Sequence, residues 1–104
     1  MKPTRLSREA LEELFEAAER YESKQPGLAD RFLEDIEQHL TLIRELPAAF
    51  PVLHASPPGL EIRRALLHTF PYALVFLELE TELRIVAVAH HKRRPNYWLS
   101  RVRR

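Results

Sequence analysis

The chain contains no cysteine. That absence excludes a disulfide framework and thiolate metal sites, and it agrees with a reducing compartment. No apolar run approaches the about 18 residues of a membrane span, and Met1 to Arg8 lack the apolar core of a secretory leader. A cytoplasmic location is therefore expected, without membrane contact. Glycine is scarce, at two residues, and no repeat or low-complexity tract is visible. The most telling absence is local: residues 83–104 contain no acid at all, but hold 7 Lys and Arg, a charge of +7. Residues 1–82 hold all 15 acids against 9 Lys and Arg, a charge of −6, so the net +1 conceals a division between the two parts. Such asymmetry suggests a footprint for phosphate, nucleic acid or an acidic protein partner, or else a solvated basic tail.

What is present suffices for one domain of 104 residues, 45% of them hydrophobic. From Ser7, the apolar Ala10, Leu11, Leu14, Phe15, Ala18 and Tyr21 recur every three or four positions, with glutamates mostly elsewhere. This predicts a helix over about 7–24, with Ser7 as its N-cap and acids suited to its positive end. Pro26 and Gly27 punctuate the chain, and a second stripe, including Phe32, Ile36, Leu40 and Ile43, predicts a helix over about 28–46 that Pro47 stops. Helices joined so closely should form an antiparallel hairpin. A proline-bearing crossing loop follows. Three strands are then expected over about 60–70, 72–79 and 83–90, joined by tight turns, before a basic aromatic tail at 91–104. "ALVFLEL" and "RIVAVA" are apolar on both faces, so the face away from the helices must be covered by the folded-back tail or by a partner chain. "KPTRL" at 2–6 is a weak signal for a fourth, edge strand. The expected class is α+β: a helical hairpin packed on a three- to four-stranded antiparallel sheet in two layers.

Five segments carry a likeness: "SREALEELFEAAERYE", "PGLADRFLEDIEQHLTLIRELP", "AAFP" at 48–51, "EIRRALLHTFPYALVF" at 61–76 and "IVAVAHHKRRPNYW" at 85–98. With these the chain resembles the RelE/ParE superfamily of toxins from bacterial type II toxin-antitoxin systems, in particular its ParE-like branch. The resemblance implies growth inhibition and a cognate antitoxin, with a dimer or a hetero-oligomer as the assembled form. One departure is the lack of a clear apolar strand ahead of the first helix, which puts that edge strand in doubt.

Within this frame the candidate residues gather late in the chain. Arg63 and Arg64 are strand neighbours and must point to opposite faces, and so must His90 and His91. Adjacent strand histidines without nearby acids or cysteines make a poor metal site, so neither metal nor cofactor is expected. Either ring is suited to proton transfer near neutral pH, or simply to a hydrogen bond at the strand end. Lys92, Arg93 and Arg94 repel one another unless they meet anions. Tyr97 and Trp98 suit either stacking on an unpaired base or packing across the sheet. Lys92, Arg93, Arg94, Tyr97, Trp98 and Arg101 form the expected target- or anion-binding set.

The superfamily resemblance implies two mechanisms. In a ParE-like toxin the tail docks on DNA gyrase and no acid or base is needed. In a RelE-like, ribosome-dependent and metal-independent mRNA endonuclease, His90 or His91 would be the base, Arg63, Arg64 and Arg93 would stabilise charge, and Tyr97 or Lys92 would be the acid. A plain binding module or a degenerate toxin is the third reading.

Overall fold

The protein is described by a computed structural model, in which residues 1–102 are described. Arg103 and Arg104, the end of the expected basic tail, lie outside the described residues. The chain forms β1 (Thr4–Leu6), α1 (Arg8–Lys24), α2 (Leu28–Glu45), a 3-10 turn (Pro47–Ala49), β2 (Ile62–Leu66), β3 (Tyr72–Glu78), β4 (Leu83–His90) and α3 (Leu99–Val102). The helix hairpin is laid out as its sequence dictates. Ser7 caps α1 by accepting the Ala10 N–H at 3.2 Å. Gly27 starts α2 at φ 88°, a left-handed conformation that penalises any residue with a Cβ, and the Glu22 carboxylate accepts its N–H at 3.1 Å.

The sheet order is β1-β4-β3-β2, with β2, β3 and β4 antiparallel in a meander. The weak N-terminal signal is a real strand. It corrects the expectation of a wholly antiparallel sheet, because β1 pairs parallel to β4, Thr4 opposite Leu83 and Leu6 opposite Ile85. The reason lies in the path of α1. The Ser7 N–H donates to the Ile85 carbonyl at 2.9 Å, Glu13 reaches Val88, and Arg20 reaches Tyr72, so β1 and α1 travel the same way along β4. Four reversals then follow, and an even number leaves β4 parallel to β1.

β2 is shorter than the expected 60–70. Asp35, buried on α2, accepts the Thr69 N–H at 3.0 Å and draws residues 68–70 out of the ladder. The same carboxylate lies 3.1 Å from His39 Nδ1, so this buried pair ties α2 to the β2–β3 turn.

Two apolar clusters flank the sheet. Phe32, Ile36 and Ile43 of the hairpin pack on Leu74, Phe76, Ile85 and Val88 on one face. On the other, Ile62, Val75, Leu77, Val86 and Ala87 are covered by Trp98, which is 4% exposed, with Tyr97, Leu99 and Val102 around it. The tail therefore folds back and supplies the missing cover. Burying such side chains stabilises by about 1.5–3 kcal/mol each. Among the described residues no helix is long and apolar enough to cross a membrane.

Candidate functional site

The site begins where β4 loses its regular partner. Val75 pairs with Ala87 while Phe76 pairs with Ile85, so Val86 is an extra residue on β4, a bulge that frees its carbonyl. β1 pairs only with residues 83–85, which leaves the next stretch of that edge to side chains. Glu13 of α1 accepts the Val88 N–H at 3.0 Å, and Arg101 of the tail donates to the Val86 carbonyl at 2.9 Å. Glu13 and Arg101 also join each other through two bonds, at 2.9 and 3.0 Å, the bidentate geometry that arginine favours. Together they close the edge that a longer β1 would have covered.

Glu13 is the hub of the tail. Besides Arg101 it accepts the Tyr97 hydroxyl at 2.6 Å and lies 3.8 Å from Arg93. Burial, followed by the hydrogen bond to the Glu13 carboxylate, pushes the Tyr97 phenol well above its ordinary value, so the hydroxyl stays protonated and donating. The Arg93 guanidinium sits 3.8 Å from the Tyr97 ring centre and that of Arg101 at 5.0 Å, both within cation–π reach. Between them, Asn96 adopts φ 61°, which turns the chain so that Trp98 can enter the apolar cluster.

Sequence reasoning passed over Glu13, although a signal was available. It lies three residues after buried Ala10 and four before buried Ala17, on the inward stripe of α1. An acid placed there needs partners, and the tail cations provide them.

The structure divides the candidate residues between the two faces of the sheet. Arg63 faces the helices, where its Nη1 donates to the Phe50 carbonyl at 2.6 Å, with Glu61 3.7 Å away, so it holds the crossing loop. Arg64 points the other way and is exposed. His90 packs edge-on against Tyr72 at 4.9 Å on the helix side, and its Nδ1 accepts the Lys92 N–H at 3.0 Å. Burial, then the Lys92 charge, lowers its pKa below the ordinary histidine value, so the ring is neutral and its Nδ1 free to accept that bond. Arg93, Tyr97 and Arg101 converge on Glu13, while Trp98 is buried. Lys92 and Arg94 are exposed, and like Arg64 they form no ion pair among the described residues. Among those residues no group of three His, Asp or Glu is arranged to hold a metal.

The tail cations are thus of two kinds: Arg93 and Arg101 secure the tail, and Lys92 and Arg94 are displayed by it. Between the tail and β2, the candidate residues Arg64, His90, His91, Arg93, Arg94 and Tyr97 line a groove of about 190 Å³, with the half-buried Leu53 and Ala89 beside them.

Residues 4–95 match the family model described as "ParE toxin of type II toxin-antitoxin system, parDE". Among solved structures, a chain of the chromosomal ParDE toxin-antitoxin system from P. aeruginosa superposes with a TM-score of 0.72 at 19% identity, covering 86% of this chain and 96% of that one. At that identity the likeness concerns the fold. No curated protein sequence matches the chain.

Proposed function

The chain belongs to the family of ParE toxins of type II toxin-antitoxin systems, and from that premise we propose that it inhibits growth by binding DNA gyrase and is neutralised by a cognate antitoxin. The exposed cations Lys92, Arg94 and Arg64 are the contacts this reading gives to the target, with Tyr97, Trp98, Arg93 and Arg101 holding the surface that displays them. A cytoplasmic location goes with it.

The observation that carries the binding mechanism over the nuclease is that the Tyr97 hydroxyl, a candidate acid, is committed to the Glu13 carboxylate. A general base and acid must lie within hydrogen-bond reach of the protons they transfer, on either side of one phosphate. Arg64, His90, His91, Arg93 and Tyr97 line one groove, but Arg63 holds the Phe50 carbonyl on the helix side and the Tyr97 hydroxyl is committed to Glu13. The raised phenol pKa also opposes its use as an acid near neutral pH. A toxin that traps its target by docking needs none of these alignments.

Expression of the chain by itself is expected to arrest bacterial growth. Added to purified gyrase, the protein should lower supercoiling and raise the amount of cleaved DNA. Normal supercoiling beside transcript cleavage in a translating extract would replace this mechanism with the nuclease, and normal growth at verified expression would remove the toxin reading.

A further inference from the structure

We infer that the pocket between α1 and the end of β4 is a binding site for a phosphate group, carried by a nucleic-acid backbone or by a smaller phosphate compound. It does not depend on which target the toxin meets. The pocket measures about 280 Å³, short of the about 300–1,000 Å³ of a drug-sized ligand site, so it suits a single charged group. Its cations reach it from two directions, Arg20 from α1, and Lys92 and Arg93 from the turn after β4. Arg20 lies four residues after Glu16, the spacing at which a helix pairs opposite charges, yet no ion pair joins them. It donates instead to the Tyr72 hydroxyl at 2.8 Å, and because Tyr72 is only 3% exposed the guanidinium is held at the pocket by a fixed group. Its other N–H groups have no acceptor among the described residues, and Lys92 is exposed and equally without a carboxylate.

His90 stands between this pocket and the groove beside β2. Its Nδ1 accepts the Lys92 N–H at 3.0 Å, so the proton of the neutral ring is on Nε2, which has no acceptor among the described residues. Burial, then the Lys92 charge, favours that neutral form. The pocket therefore gathers uncommitted donors on Arg20, His90 and Lys92. One arginine fork satisfies a planar carboxylate, whereas donors arriving from a helix, a strand end and a turn suit a tetrahedral group with oxygens in several directions. A base finds no stacking platform here, since the Tyr72 ring is buried, so the phosphate is what the pocket holds. Of the two acids that line it, Glu13 is spent on Arg101, Tyr97 and the Val88 N–H, and Glu16 is unpaired among the described residues. As a like charge Glu16 weakens the hold on an anion, which gives the site a second signature of opposite sign.

The test is a titration of the ¹⁵N-labelled full chain, followed by amide shifts at one ionic strength, with sodium phosphate, thymidine 5′-monophosphate, the dinucleotide diester TpT and sodium acetate. The three phosphate compounds are expected to shift the amides of Val88, Lys92 and Arg93 saturably, and acetate, equal in charge to the diester, to bind about tenfold more weakly than any of them. Arg20→Gln and Lys92→Gln should each weaken the phosphate compounds by about fivefold or more, and Glu16→Gln should tighten them by about twofold. Lys92→Gln, at an exposed side chain, leaves the fold intact should Arg20→Gln disturb Tyr72. Tightest binding of TpT would identify a nucleic-acid backbone as the source of the phosphate, and tightest binding of inorganic phosphate or the monoester a small phosphate compound; either supports the site. Acetate binding as tightly as the phosphate compounds would reduce the pocket to a patch of diffuse charge and overturn the proposal. So would affinities unchanged in both the Arg20 and Lys92 variants, shifts confined to the amides of Arg64 and Arg94, or no saturable shift at millimolar concentrations.

Discussion

Glu13→Ala is expected to destabilise the protein by about 3 kcal/mol, because one deletion strands several buried groups at once. The Arg101 side chain, 15% exposed, would lose both bonds of its ion pair, and the Tyr97 hydroxyl and the Val88 N–H would lose their acceptor. Each buried polar group left unpaired costs about 1–3 kcal/mol, and partial access to water at this rim keeps the sum at the lower end. Glu13→Gln should fall between, since an amide oxygen can accept one of these bonds but cannot neutralise Arg101. Chemical denaturation, with the emission of the single tryptophan as probe, measures the loss. An unchanged midpoint and unchanged emission in Glu13→Ala would mean that the tail is held by apolar packing and not by this carboxylate.

Trp98→Ala is expected to cost about 3–5 kcal/mol, the range for deleting a large buried aromatic. Trp98 lies over Ile62, Val75, Val86 and Ala87 on the sheet face that the helices cannot reach. Its removal uncovers a contiguous apolar surface on β3 and β4, so self-association should rise as stability falls. Trp98→Phe should recover much of the stability because it refills most of the volume. Thermal melting together with sedimentation separates the two effects. A melting midpoint within a degree or two of the parent would contradict the account of the tail as a structural cover.

Both predictions concern one arrangement, in which an acidic helix position and an aromatic pin hold a basic tail against a two-faced sheet. The two helices and three of the strands were legible because burial on one stripe or on alternating sides leaves a period in the sequence. β1 left only a faint trace: a three-residue edge strand beginning after Pro3 has too few side chains to show a period. Its parallel pairing was hidden for another reason, since it depends on the direction α1 takes along β4, which no local pattern records. The double-sided apolar character of "ALVFLEL" and "RIVAVA" did signal the need for a second cover, and Trp98 meets it.

The candidate site was legible in kind and not in arrangement. Clustered cations at 92–94 stand out in any charge count, but which of them are paired depends on Glu13, some 80 residues away in sequence. Strand alternation required Arg63 and Arg64 to diverge. Only the structure tells that Arg63 turns to the crossing loop and Arg64 to the groove, since the flanking residues Ile62 and Ala65 are equally buried on opposite faces.

The measurement that bears most directly on the function is growth arrest by the double variant Lys92→Glu, Arg94→Glu, compared with the parent at equal expression. Both side chains are exposed and unpaired among the described residues, so the melting midpoint should stay within about 4 °C of the parent. Arrest should nevertheless be lost, together with any effect on gyrase supercoiling, because the displayed charges would have changed sign. Undiminished arrest by a variant that folds normally would contradict the assignment of these cations as the face the target meets.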